Sequence, residues 1–256
     1  DPNPDAKSSF NERKRLFETP RTHWTDYNVE LISEGGGVFS RSAKSIPVSP
    51  QMKERFGLSE NQIEPNKLIK AMLKSPVDLL WNGGIGTYVK SVSETNGQVG
   101  DRANDQLRIN GKDLSAKIVG EGGNLGFTQL GRIEYALAGG RVNTDAIDNS
   151  AGVDCSDHEV NIKILLNELV RQGELTHKHR NQLLVEMTDE VAELCLENNR
   201  LQTEALSVAQ FFGPDNIEMH KRLISVLESE ANLDREIEFI PDTEGLQERK
   251  KNELGL

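Results

Sequence analysis

The chain has 256 residues, 36% of them hydrophobic and 5% aromatic, with a mean hydropathy of −0.55. That is enough for one large domain or two modest ones, around a lean core. Thirty Lys and Arg against 41 Asp and Glu leave a net charge of −11. This excludes a broad nucleic-acid or anionic-membrane face, since either needs a basic surface. No apolar run approaches the roughly 20 residues of a membrane span. Asp1-Pro2-Asn3-Pro4-Asp5 has no basic-then-apolar leader pattern. Cys155 and Cys195 lack the spacing of a zinc site, so no metal is expected, and two free thiols suit a reducing cytoplasm.

Taken in chain order, Phe10–Phe17 (FNERKRLF) predicts a short helix and Asn28–Ile32 a strand entering Ser33-Glu34-Gly35. Leu68–Leu73 predicts a helix that stops before Pro76, because the residue before proline leaves the helical region. Val77–Trp81 is an apolar run ending in Asn82-Gly83-Gly84, and Ala116–Val119 another ending in Gly120-Glu121-Gly122-Gly123. A helix is predicted from Thr128 to about Ala138, a strand over Arg141–Asn149, and a helix over Ser156–Arg171. Strand, glycine loop, helix, strand, helix is the order of a parallel α/β sheet.

Seventeen of the 22 glycines lie in residues 1–140, ten of them in three clusters, whereas the sequence from about Thr176 is rich in Leu, Glu, Gln, Lys and Ala. A boundary is therefore placed at 173/174, dividing residues 1–173 from residues 174–256. In the second part, Leu183, Leu184, Met187, Val191, Leu194, Cys195 and Leu201 form a long amphipathic pattern. It reads as a core face, with packing on a sister subunit as the alternative. Gly213-Pro214 breaks it, and a further helix is predicted over Ile217–Glu230. Leu233–Ile240 is undecided between helix and strand, and Glu244–Leu256 reads as a charged helix.

Three loops carry chemistry. Gly120-Glu121-Gly122-Gly123-Asn124-Leu125-Gly126 follows a strand and opens a helix, where backbone N–H groups meet phosphate. Its spacing is one residue longer than the dinucleotide fingerprint, and a tight strand-to-helix turn is the plainer reading. Asn82-Gly83-Gly84 sits where ligands bind in doubly wound sheets, although Asn-Gly turns are common for conformational reasons alone. In Asp154–Glu159, three acids and a histidine suggest a metal. The Ser156…Glu159 spacing instead matches a capping box, with Asp157 favoured by the helix dipole. His158 then reads as structural rather than as a base. His177 and His179 read as a solvated helix start, and single lysines after the glycine clusters, Lys44 and Lys90, as weak anion candidates.

Together these segments resemble a known family. VDLLWNGGIGTYVK (Val77–Lys90), AKIVGEGGNLGFTQLGRIEYALAGG (Ala116–Gly140), NTDAIDNSAGVDCSDHEVNIKILLN (Asn143–Asn167) and LISEGGGVFSRSAKSIPVS (Leu31–Ser49) closely resemble the large, NAD-specific bacterial glutamate dehydrogenases. The resemblance covers essentially the whole chain. It implies an α/β fold, with a Rossmann-like parallel sheet portion (1–173, the later half of the NAD-binding domain) followed by an α-helical region (174–256, part of a C-terminal helical domain).

In the smaller glutamate dehydrogenases a strand leads through EGAN into a helix, which resembles Glu121-Gly122-Gly123-Asn124. Their NAGGV and a following serine resemble Asn149–Val153 and Ser156. The resemblance implies that Asn124 contacts the nicotinamide-side ribose, that Asn149 lies beside the nicotinamide, and that Ser156 holds the substrate's side-chain carboxylate. Asn82, Gly83 and Gly84 replace an alanine segment and are expected along the cofactor. Ser33-Glu34-Gly35 loosely resembles a segment near the adenosine ribose.

The implied reaction is oxidative deamination of L-glutamate to 2-oxoglutarate and ammonia, with NAD as cofactor, in a cytoplasmic homo-oligomer. The family's catalytic lysine, proton-handling aspartate and phosphate loop precede Asp1 in this alignment, so no catalytic residue is assigned. The chain is expected to be an internal piece of a longer parent, inactive alone and partnered by the rest of that parent. The alternative is a non-catalytic nucleotide-sensing or scaffolding α/β module. Nucleic acid and membrane are not expected partners.

Overall fold

The computed structural model describes residues 1–252; the last four residues of the expected C-terminal helix, 253–256, lie outside the described residues. Helix α1 (Ala6–Glu18) is followed by β1 (Ile46–Pro47), α2 (Pro50–Phe56), β2 (Gln62–Ile63) and α3 (Pro65–Leu73). Next come β3 (Leu79–Asn82), β4 (Val89–Lys90), α4 (Asn96–Val99), β5 (Ile109–Asn110), β6 (Ile118–Glu121), α5 (Gln129–Leu137) and β7 (Arg141–Val142). The rest is helical: α6 (Asp145–Asp148), α7 (Asp154–Arg171), α8 (His177–Glu186), α9 (Thr188–Phe212), α10 (Ile217–Glu230) and α11 (Thr243–Lys251). The fold is thus α/β, as expected. A three-stranded sheet has the order β3-β6-β7, and β6 runs parallel to β7 with Ile118 opposite Arg141. Helix α5 connects those two parallel strands. No helix among the described residues is long and apolar enough to cross a membrane.

The chain divides into two compact units. The first contains residues 1–80, 86–119 and 131–142. One apolar cluster in it is Ile46, Val48, Met52, Ile63 and Leu68, backed by Phe56 and Leu58. It closes over the antiparallel β1–β2 pair, where Ile46 faces Ile63. Ser49 accepts from Met52 N to start α2, and Gly57 ends it at φ 65°, a left-handed cap that glycine adopts without a Cβ clash.

Polar contacts hold much of the rest of this unit. The Arg108 side chain is fully enclosed. It donates to the Thr87 and Asp101 carbonyls, to Asn96 Oδ1 and to Asp105 Oδ1 at 2.6–2.9 Å, so the charge is almost completely hydrogen-bonded. Glu134 on α5 accepts from Ser91 Oγ, Val92 N and Lys112 N, and Tyr135 Oη donates to the Ala116 carbonyl at 2.7 Å. Lys90 Nζ donates to Asn110 Oδ1 and the Ser91 carbonyl; its role is structural. Glu12, buried on α1, takes two bonds from Arg15 and one from Asn28 N, which ties the following turn to the helix.

The second unit contains residues 81–85, 120–130 and 143 onward. Leu166 is the buried residue of α7, and Cys195 that of α9. Farther along, Ile217, Ile224 and Leu246 form a cluster joined by Leu233 and Ile240, which gives the undecided Leu233–Ile240 stretch its role as an apolar link without regular structure. The helices also leave large apolar side chains open: Phe211 is 84% exposed and Val185 73%. The stripe read as a core face is therefore only partly covered. Of its members Cys195 is buried, while Leu183, Leu194 and Leu201 are exposed.

Four local expectations change. Asn28–Ile32 is a single 3-10 turn (Val29–Leu31), because the Asn28 side chain accepts from Glu30 N and caps it. The strand expected over Arg141–Asn149 ends at Val142; Asn143 Nδ2 instead donates to Asp148 Oδ1, and Asp145–Asp148 forms a helical turn. The amphipathic run beginning at Leu183 is split at Met187 into α8 and α9. Helix α7 begins at Asp154, so Ser156 lies inside the first turn and no Ser156–Glu159 capping box forms. Glu159 pairs with Lys163 instead.

Replacing Arg108 by Met should destabilise the protein by about 3 kcal/mol, because Asp101, Asp105 and two carbonyls lose their shared donor; urea unfolding measures it. Glu12 is held down to about 2, first by its Arg15 bonds and then by Asn28 N. A depressed carboxylate stabilises fully above its ordinary value and loses that contribution as pH falls through the folded value. Glu12→Gln should therefore flatten the acid loss of stability between the ordinary value of 4.5 and about 2, read as urea midpoints across that interval.

Candidate functional site

The carboxyl ends of β3 and β6 both enter the second unit, at Trp81 and Gly120. Here the side chains determine which backbone fits. A Cβ on Gly120 would stand 2.5 Å from Trp81 Cε3, and one on Gly122 would overlap the same indole. The ring fills the space that side chains on that face of the loop would occupy, while remaining 59% exposed. Because those positions are glycine, the two strand-end loops come into backbone contact: a Cβ on Gly123 would lie 2.7 Å from the Gly84 carbonyl oxygen, and one on Gly126 would collide with the Asn82 amide. Asn82 Oδ1 accepts from Gly84 N at 3.4 Å, a local Asx bond that folds the turn back.

Carboxylates clamp the second loop from inside. Glu121 is fully buried, and its Oε2 accepts from Phe127 N at 3.1 Å. Asp148 Oδ2 accepts from Glu121 N at 2.9 Å. Asp145 Oδ2 accepts from Leu125 N at 2.7 Å, at a residue with φ 57°, a left-handed conformation that leucine adopts only under such constraint. The acids are turned inward, onto backbone N–H groups.

Asn124 is exposed on the loop, beside the exposed Leu125. Asn149 Nδ2 donates to Asn124 Oδ1 at 2.7 Å. Asn149 Oδ1 in turn accepts from Gly152 N at 3.1 Å, and a Cβ on Gly152 would press on the Asn149 amide. Both ends of the Asn149 amide are thus fixed, and its orientation is set by the backbone. Asn124 spends its oxygen on this bond and keeps its Nδ2 for other acceptors.

The five predicted cofactor residues, Asn82, Gly83, Gly84, Asn124 and Asn149, therefore fall in one loop cluster through these contacts. Ser156 lies in the same unit on the first turn of α7, half-buried. Among the described residues its hydroxyl has no hydrogen-bond partner, and it makes no bond to Asn124 or Asn149. Helix α7 starts from the Asn149 loop itself, with Val153 N donating to the Asn149 carbonyl and Cys155 N to that of Ser150. Ser150 Oγ accepts from Asn199 Nδ2 on α9 at 3.1 Å.

Sequence reasoning missed Trp81 as the support of the loop, and it missed the inward roles of Glu121, Asp145 and Asp148. A tryptophan two residues before Gly83 and glycines two apart in Gly120-x-Gly122 were the visible signal for the first. The bonds of Asp145 and Asp148 to backbone twenty or more residues away gave no signal at all.

The family described as bacterial NAD-glutamate dehydrogenase, catalytic domain, matches residues 1–209. NAD-specific glutamate dehydrogenases of Halomonas elongata and Pseudomonas aeruginosa are each 60% identical over 256 residues, and that of Mycobacterium tuberculosis is 50% identical over 262. All of this chain is matched, and it spans 16% of the length of each relative.

Gly122→Ala must displace the Trp81 ring. In a Trp24→Phe background the remaining indole should shift its emission, and the protein should lose about 1–3 kcal/mol, the usual cost of overpacking. Unchanged emission and stability would refute the support role.

Proposed function

The chain belongs to the bacterial NAD-glutamate dehydrogenase family, and we propose that it supplies the nicotinamide and substrate-carboxylate side of an enzyme converting L-glutamate, NAD⁺ and water to 2-oxoglutarate, ammonium and NADH, with release of a proton. Residues 1–173 are assigned to the later half of the NAD-binding domain and 174–256 to part of a helical domain. The parent enzyme acts in amino-acid catabolism in the cytoplasm as a homo-oligomer. The rest of the parent chain supplies the lysine and acid that handle charge and protons, and it covers the open apolar side chains of the helices.

The observation that carries this reading is the Asn149 Nδ2 to Asn124 Oδ1 bond of 2.7 Å. It joins the two residues that the family resemblance assigns to neighbouring parts of one cofactor. The surroundings fit NAD. Gly84 has no atom within 4 Å of where a Cβ would stand, so its backbone lies open to a flat ligand. The groups facing outward are neutral amides, and the acids are engaged inward with backbone N–H groups.

When bound, NAD supplies the hydride acceptor. Asn124 holds the ribose through its free Nδ2, and Asn149, fixed at both ends, orients the nicotinamide. Gly83 and Gly84 let the backbone approach. Ser156 donates its unused hydroxyl to the substrate's distal carboxylate. The N-terminal end of α7 offers that anion a favourable dipole. The chain's contribution is thus distance and orientation.

In the full-length enzyme, Asn149→Ala and Ser156→Ala should each lower kcat/KM for glutamate by about tenfold or more, the scale of a lost charge-assisted or positioning bond. Ser156→Ala acts mainly through KM for glutamate, and Asn149→Ala raises KM for NAD as well. Steady-state kinetics decide it; unchanged constants in both variants overturn the assignment.

A further inference from the structure

We propose that Asp154, His158 and Cys195 form a binding site for a thiophilic divalent cation of the Zn²⁺ class, which clamps the first turns of α7 to α9. The three side chains offer one oxygen, one nitrogen and one sulfur atom, all within 4.8 Å of one another. Asp154 and His158 are four residues apart on α7, hence on one helix face, and Cys195 arrives from α9.

The Asp154–His158 separation suits a tetrahedral ion. With Zn–N and Zn–O bonds of about 2.0–2.1 Å, two ligand atoms on one zinc stand about 3.4 Å apart; Asp154 Oδ1 and His158 Nε2 are 3.5 Å apart. The chemistry of the donor set points the same way, since thiolate with imidazole and carboxylate is a zinc set rather than a calcium or magnesium one.

Two further observations mark this as more than a chance grouping. His158 Nε2 is shielded from solvent and makes no hydrogen bond, which leaves the atom a metal takes without a competing partner. Asp154 already has an outer partner: Asn198 Nδ2 donates to its Oδ2 at 2.9 Å. That fixes the carboxylate and leaves Oδ1 beside the histidine, as outer-shell partners do for metal ligands. Cys195 is 7% exposed, and burial, followed by the Asp154 charge, pushes its thiol up to about 11. Binding replaces the S–H bond by a metal–sulfur bond and releases that proton to solvent. Three protein ligands leave the fourth position to water.

The sequence view of the Asp154–Glu159 run had no access to this arrangement, because the sulfur comes from a helix forty residues on. An ion here would tie α9 to the turn of α7 that carries Ser156. The inference does not depend on the proposed catalytic role, and its test does not read activity.

The full-length protein is stripped with a chelator and titrated with Co²⁺, then compared with Cys195→Ser and His158→Gln variants checked by circular dichroism. The expected result is one cobalt equivalent with a thiolate-to-cobalt charge-transfer band. That equivalent and its band vanish in Cys195→Ser, and its affinity falls about tenfold or more in His158→Gln. A second measurement needs no variant: Zn²⁺ should slow alkylation of Cys195, mapped by peptide mass. No thiolate band in the wild type, a band unchanged in Cys195→Ser, or equal alkylation with and without Zn²⁺ overturns the proposal.

Discussion

An indole ring decides what the backbone can do at the strand ends. Trp81 occupies the volume in which side chains at positions 120 and 122 would stand, and glycine at both is the condition for the loop to lie on it. Close approach then propagates: Gly123 meets the Gly84 carbonyl, and Gly126 meets the Asn82 amide. A larger residue at position 123 would drive the two loops apart, since its contact is the Gly84 backbone, whereas one at 120, 122 or 126 would have to displace the Trp81 ring or the Asn82 amide.

Electrostatics complete what packing begins. A loop rich in glycine has high conformational freedom in the unfolded chain and is costly to order. Here the ordering comes from carboxylates that accept backbone hydrogens: Glu121 at Phe127, Asp148 at Glu121 and Asp145 at Leu125. Charge-assisted bonds of this kind are stronger than neutral ones. They also direct the negative charge onto the backbone, so that the outward groups of the cluster are the Asn124 and Asn149 amides. The same economy appears in the first unit, where Arg108 binds two carbonyls and three side chains at a single buried point.

Much of this was legible in the residues. The helices over 6–18, 65–73, 129–137 and 217–230 follow apolar spacing with proline or glycine at their ends, and the strands at 79–82 and 118–121 follow short apolar runs before glycines. Each strand begins two residues after the start of the apolar run and ends beyond it, which brings Asn82, Gly120 and Glu121 into the strands themselves. What misled was polar chemistry acting locally. Asn28 bends its own backbone into a turn, Asn143 and Asp148 pull the chain off the sheet after Val142, and Asn149 and Ser150 carbonyls start α7 where Ser156 was expected to cap it.

The sequence by itself determined the alternation of strand, glycine loop and helix, and the glycine clusters at the ends of the strands. Those are properties of residue type and spacing, and they survive without knowing any distance. Only the tertiary structure decided that Asn149 bonds Asn124, that Trp81 supports the loop, that α9 delivers Cys195 to Asp154 and His158, and that much of the helical apolar stripe is open. The first three join atoms more than twenty residues apart, where periodicity carries no information and only the packing of one element on another sets who meets whom.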